Sequence, residues 1–194
     1  NRSSGKMGFA LAAAARDRGA AVTLIHGPAA LEPLHGITAI AVESCADMER
    51  AVVDSIHAAD GLVMAAAVAD YRPETAAPQK IKKRDDRLAL NLVRTSDILS
   101  AVASRRGAGG RLRAVIGFAA ETRDVLDNAR EKLARKKLDL IVANDVSAAD
   151  SGFEVDTNRV TLLDASGGVE ALPLMSKAAV AEQIIDRLVA ILER

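Results

Sequence analysis

The chain has 194 residues, 49% hydrophobic and 27% charged, with 26 basic residues against 26 acidic ones. That length fits one large domain with its own core, and zero net charge excludes a generally basic nucleic-acid coat or an acidic, self-repelling tail. Three Phe, one Tyr and no Trp exclude a base-stacking platform, and the single Cys excludes an intramolecular disulfide or a cysteine-cluster zinc site.

Asn1 opens the chain without a Met, inside what reads as a loop entering a helix, so further sequence is expected upstream. The spacing predicts a first helix from Gly5 to Arg18, capped by Ser3 or Ser4 and stopped by Gly19. Ala21–His26 reads as a short buried strand ended by Gly27-Pro28, and Thr38–Val42 as another. Asp47–Ala59 is amphipathic, with Met48, Val52 and Ile56 on one side. Gly61–Ala69 is the most apolar run. It is about half of what a membrane span needs, so it is expected to be a strand at the sheet centre.

A polar stretch, Asp70–Arg87, follows, and then Leu88–Val93 alternates like a half-exposed strand. Asp97–Arg105 reads as a helix, Arg113–Ala119 as a strand, Asp124–Lys137 as a helix and Leu138–Ala143 as a strand. Arg159–Leu163 and Gly168–Leu172 straddle Ser166-Gly167 as a hairpin. Ser176 caps a final helix to Leu192. Strand alternating with helix predicts a three-layer, Rossmann-like α/β sandwich around a mainly parallel sheet. The segments 70–93 and 153–173 are expected to be antiparallel insertions. No linker divides the chain, so residues 1–194 are read as one domain.

In such sheets ligands sit at the carboxyl ends of the strands. Asn1-Arg-Ser-Ser-Gly-Lys-Met-Gly8 opens a helix whose free amides suit phosphate or carboxylate, as a plain capped helix start would also look. It is neither a Walker loop nor a G-x-G-x-x-G fingerprint. Ala65, Ala66 and Ala67 end the central apolar run, followed closely by Asp70. Small side chains there let a flat base approach the backbone, and Asp70 can take ribose hydroxyls or support a metal; the plainer reading is a tightly packed strand and a turn acid. The basic run Lys80–Arg84 is either a solvated face or a source of charge for a polyphosphate. Lys132 and Lys136 share one helix face, alongside an exposed set of Glu131, Arg135 and Lys137. His26, His35 and His57 have no metal-ligand spacing, Cys45 reads as a half-buried filler, and no metal ligands can be named.

Six motifs then occur in order: N-R-S-S-G-K-M-G-F-A (Asn1–Ala10), A-A-V-A-D-Y-R-P (Ala66–Pro73), P-Q-K-I-K-K (Pro78–Lys83), G-F-A-A-E-T (Gly117–Thr122), A-R-E-K-L-A-R-K-K-L-D-L-I-V-A-N-D-V (Ala129–Val146) and L-P-L-M-S-K (Leu172–Lys177). Together they closely resemble phosphopantothenoylcysteine synthetase, the synthetase half of the bifunctional bacterial coenzyme A biosynthesis protein. The resemblance implies a cytoplasmic phosphopantothenate–cysteine ligase. Such enzymes activate 4′-phosphopantothenate with CTP, releasing pyrophosphate, and the amine of L-cysteine then displaces CMP from the acyl-cytidylate. It also implies Mg2+, a homodimer, and a flavin-dependent decarboxylase fused upstream in some members, with no nucleic-acid or membrane partner.

By motif position, the resemblance makes Lys80 the activating residue on a flap and ties Asn1 to handling the acyl-cytidylate. It has Met64, Ala65 and Ala66 read cytosine through the backbone and Asp70 contact the nucleotide. It sets Ser96, Asp97, Ile98, Leu99, Phe118, Lys132 and Lys136 around the CTP. Lysines rather than an acid–base pair suit a step that builds charge on pyrophosphate. Lys80, Lys82, Lys83 and the 132–137 cluster are thereby candidates to face one polyphosphate. Two departures stand out. Thr95-Ser96 precede Asp97 where the family usually has Asn-Pro, and the family's first strand, with its glycine-rich, Arg-containing loop, would lie upstream of Asn1. Two rivals are a NAD(P)-dependent Rossmann-type reductase, which needs a glycine-rich turn and a strand-ending acid not seen here, and a non-catalytic nucleotide-binding or dimerisation module. Only Lys80 and Asn1 separate the latter from an enzyme.

Overall fold

The computed structural model describes residues 3–32, 34–75, 77, 79–81, 88–107, 109–121, 125–145 and 156–194. The first helix, α1 (Lys6–Asp17), is entered not through a serine cap but through Gly5, whose φ of 75° is open to glycine at little cost. The Ser3 hydroxyl accepts from the Gly5 amide at 3.3 Å, one step too early to cap the helix. Gly19, at φ 84°, closes the other end as expected. Strands β1 (Thr23–His26) and β2 (Thr38–Ala41) pair in parallel. Helix α2 (Cys45–Ser55) starts two residues before the predicted Asp47. Ser44 and Asp47 form a reciprocal capping box there, which makes Asp47 the third residue of the helix rather than its first.

Strand β3 (Gly61–Met64) leads to β4 (Tyr71–Pro73), which pairs antiparallel with β5 (Leu92–Arg94). Helix α3 (Ile98–Arg105), β6 (Ala114–Glu121), α4 (Val125–Arg135) and β7 (Leu140–Asp145) follow. The chain ends with β8 (Thr157–Asn158), β9 (Val160–Asp164), β10 (Val169–Ala171), β11 (Met175–Ser176) and α5 (Lys177–Leu192). The main sheet has the order β10-β9-β7-β6-β3, parallel among β3, β6 and β7 and antiparallel from β7 through β9 to β10.

Adjacent residues of the inner strands go to opposite faces, as the two-residue period requires. Val115, Ile141 and Leu163 join one core with Met48, Val52 and Val102 of α2 and α3. Ile116, Val142 and Leu162 join the other with Leu11 and Ala14 of α1 and Val180 and Ile184 of α5. The result is the Rossmann-like three-layer sandwich, with antiparallel additions at β4–β5 and β9–β10. Small residues on the α1 face admit α5 closely, and Arg18 fastens the pair by reaching Glu182 and Asp186.

Two strand expectations are corrected. The apolar run 61–69 is not the sheet centre: only Gly61–Met64 enters the ladder, at the end of the five-strand order, and β7 takes the middle. Alanines bury little area, so Ala65–Ala69 is stable as a partly exposed loop rather than needing cover on two faces. Likewise only Leu92–Arg94 of the second run is a strand. Its length is matched to the three residues of β4, and Leu88 and Leu90 remain exposed outside it. No helix among the described residues is long and apolar enough to cross a membrane.

Candidate functional site

Four chain segments meet beyond the carboxyl end of β3 and beside the middle of β6. Met64 closes β3 opposite Gly117 of β6, and its side chain is committed to the α2–α4 core. Ala65 packs into the opposite core, where Phe118 of β6 also packs. With both side chains occupied, what 64–66 offers a ligand is backbone and the exposed Ala66 methyl. Such a surface reads the edge of a flat ring by amides and carbonyls.

Asp70 ends this loop, exposed. Arg94 stands opposite Tyr71 across the β4–β5 pair. Tyr71 and the nearby Asp70 carboxylate raise the guanidinium pKa above its ordinary value, against the opposing effect of burial. Thr95 ties the loop directly: its amide donates to the Asp70 carbonyl at 2.9 Å and its hydroxyl to the Ala69 carbonyl at 2.5 Å.

The next two residues fasten the same segment to other elements. The Ser96 hydroxyl donates to the Glu49 carboxylate of α2, and the Ser96 carbonyl lies 3.6 Å from the Cys45 sulfur. Asp97 is the N-cap of α3, accepting from the Ser100 amide at 3.1 Å. It also binds the ammonium of Lys136, which lies in the turn just after α4 and also donates to the Ser100 hydroxyl at 2.8 Å. Burial pushes the Asp97 carboxyl up, but the Lys136 hydrogen bond, the Ser100 amide and the Lys136 charge outweigh it and hold the group below the ordinary carboxylate range. Ile98 and Leu99 are core residues, so only their backbone faces the site. Lys132, one turn before Lys136, donates to the Phe118 carbonyl at 2.7 Å.

The structure therefore brings together Met64, Ala65, Ala66, Asp70, Ser96–Leu99, Phe118, Lys132 and Lys136. Lys80 lies exposed on the connection between β4 and β5. Asn1, Lys82 and Lys83 lie outside the described residues. The 132–137 cluster is not one charged face: Lys136 is buried against Asp97, whereas Arg135 pairs with Glu131 at 3.5 Å on the exposed side. At the other helix start, Lys6 pairs with Asp156 at 2.6 Å, which holds that carboxyl low. The buried Lys177 stands nearby, its pKa pushed down by burial and then by Lys6, with Asp156 opposing. Among the described residues no group of three or more His, Cys, Asp or Glu side chains is placed to hold a metal ion.

Glu49, Arg94, Thr95 and Ser100 escape the sequence reading. Only Ser100 leaves a local trace, three residues after an Asp that opens a helix. The others act across tertiary contacts, as Glu49 does on Ser96 from 47 positions away.

The family described as DNA/pantothenate metabolism flavoprotein C-terminal domain matches the chain over residues 1–192. The chain is 45% identical over 192 residues to the coenzyme A biosynthesis bifunctional protein CoaBC of Bacillus subtilis, covering 98% of this chain and 46% of that protein. It is 47% identical over 187 residues to the protein of the same description from Vibrio cholerae, covering 95% and 46%. The chain thus spans about half the length of the curated relatives it matches. Among solved structures, the C-terminal domain of a coenzyme A biosynthesis bifunctional protein CoaBC superposes with a TM-score of 0.82 at 38% identity, covering 100% of this chain and 85% of that one.

Proposed function

Because this chain belongs to the DNA/pantothenate metabolism flavoprotein C-terminal domain family, we propose that it is a CTP-dependent phosphopantothenate–cysteine ligase acting in coenzyme A biosynthesis. The observation that carries the reading is the hydrogen-bonded convergence of the 65–70 loop, the 95–97 segment, Phe118, Lys132 and Lys136. That arrangement suits a nucleoside triphosphate: a backbone edge for the base, a carboxylate for the ribose and two lysine ammoniums that tie the enclosing segments together, with the exposed Lys80 to meet phosphate oxygens.

In this reading the phosphopantothenate carboxylate attacks the α-phosphorus of CTP, forming an acyl-cytidylate as the bond to pyrophosphate breaks. The cysteine amine then attacks the acyl carbon, gives up a proton, and CMP leaves. Met64–Ala66 read cytosine, Asp70 takes the ribose, and Ser96–Leu99 with Phe118, Lys132 and Lys136 enclose the nucleotide. Lys80 brings its charge to the departing pyrophosphate, and Asn1 handles the acyl-cytidylate in the second step. Magnesium prefers phosphate oxygens and one or two carboxylates to an all-protein cage, which fits a donor set where Asp70 is the exposed acid of the nucleotide loop. The ion would neutralise triphosphate charge there.

Leu88, Leu90, Leu92 and Tyr71 are large apolar side chains exposed on β4–β5 and the segment leading into β5, which supports a homodimer joined at this hairpin. The greater length of the bifunctional relatives supports fusion to a further upstream domain, which the family resemblance makes a flavin-dependent decarboxylase. Mass analysis of products made from CTP, phosphopantothenate and cysteine tests the reading. A CTP-dependent amide with equimolar CMP supports it; no amide, together with oxidation of NADPH when that cofactor is added to the same mixture, would replace it with the reductase reading.

A further inference from the structure

We propose that Thr95 is the positioning residue that sets the direction of the Asp70 carboxylate, and with it the affinity for the nucleotide. The inference rests on the nucleotide site proposed above and adds to it a residue that does not itself touch ligand. The two carbonyls bonded by Thr95 belong to Ala69 and Asp70, which are the peptide groups on either side of the Asp70 α-carbon. Pinning both peptide planes fixes φ and ψ of Asp70 together, so the Cα–Cβ bond of an exposed loop residue acquires a defined origin and direction, and the carboxylate samples only the few rotamers built on it.

Thr95 can do this because it is itself braced. The following residue is tied to α2 through Glu49, and Asp97 is tied to α3 and to Lys136 beyond α4. The loop on the other side is held by packing at Ala65 and Val68, but its side chains are methyl and isopropyl groups that donate no hydrogen bonds, so its carbonyls take donors from other segments. Of the two bonds, the amide bond survives any substitution except proline. The hydroxyl bond is specific to the side chain.

Thr95→Val keeps the branched shape and the amide bond and removes only the hydroxyl donor. Thr95→Ser keeps the donor. The protein is titrated with CTP, and KM for CTP and kcat are measured by pyrophosphate release. Thr95→Val is expected to weaken CTP binding about five- to tenfold, the worth of one ordinary hydrogen bond, with kcat changed less than twofold. Thr95→Ser is expected to bind within twofold of the parent protein. Ile184→Val, in the α5 core on the opposite face of the sheet, serves as a destabilised control and is expected to leave CTP affinity unchanged. Parent protein that binds CTP while Thr95→Val binds it equally well overturns the positioning role alone. So does a serine variant as weak as valine, or an equal loss in Ile184→Val. A folded parent protein that binds no CTP overturns this role together with the nucleotide site on which it rests.

Discussion

The Lys136 ammonium, buried just beyond the end of α4, is bound to the Asp97 carboxylate that caps α3, 39 residues earlier in the chain. The pair is unequal: the Lys136 side chain is 8% exposed and the Asp97 side chain 51%. Removing the acid strands a buried cation and uncaps a helix. Removing the cation leaves a carboxylate that water can reach. Asp97→Ala is therefore expected to cost about 2–4 kcal/mol of unfolding free energy. Lys136→Met, which keeps the apolar stem, should cost about 1 kcal/mol or less. Urea denaturation of the two variants gives the order directly, and a costlier lysine change would refute it.

The same pair governs part of the acid response. The native pKa of Asp97 lies below its ordinary value, so the group adds stability at pH values above the ordinary carboxylate pKa of about 3.9. That contribution is lost as pH falls toward and through the lowered native value. The advantage of the parent protein over Asp97→Asn should thus be constant near pH 6 and shrink below about pH 4. Asp47, Asp156 and Asp164 are lowered in the same direction, so the variant keeps a shallower acid limb of its own. Denaturation midpoints from pH 6 to 2.5 check this; parallel curves would show that Asp97 does not titrate as described.

Lys80 is exposed, so replacing it leaves the fold alone. Under the proposed chemistry, Lys80→Gln should lower the rate of pyrophosphate release at least a hundredfold, as loss of a charge aimed at a transition state does, with thermal stability unchanged. In a protein extended upstream of Asn1, Asn1→Asp should instead let the acyl-cytidylate accumulate. Rapid-quench chromatography separates the two outcomes, and ordinary turnover in both variants would remove both roles.

The exposed side chains of Leu88, Leu90 and Leu92 give the assembly proposal its own test. Sedimentation of the parent protein at micromolar concentration is expected to show a dimer. Leu90→Lys with Leu92→Lys should sediment as a folded monomer, because charge at the centre of an apolar contact opposes its desolvation. A monomeric parent, or a double variant that still dimerises, would place the interface elsewhere or nowhere.

Much of the architecture was legible because it rests on local rules. Ser176 caps α5 through the Ala179 amide, Gly19 stops α1, and the apolar spacing of Met48, Val52 and Ile56 marks the buried side of α2. Apolarity alone misled at Gly61–Ala69, since a run of alanines serves a loop as readily as a strand centre. The loops at the strand ends were legible as segments, and the partners that hold them together were not. Thr95 meets Ala69 from 26 residues away and Glu49 meets Ser96 from 47. No spacing along the chain encodes such pairs; they exist only once the 65–70 loop, the segment after β5 and helices α2 and α3 are brought together in the fold.

The central claim is tested most directly by CTP-dependent pyrophosphate release. The protein, extended upstream of Asn1, is given CTP, magnesium and phosphopantothenate, with cysteine added last. Release should require CTP and phosphopantothenate together, become catalytic when cysteine is supplied, and disappear in Lys80→Gln. A folded extended protein that releases no pyrophosphate under these conditions would contradict the ligase account.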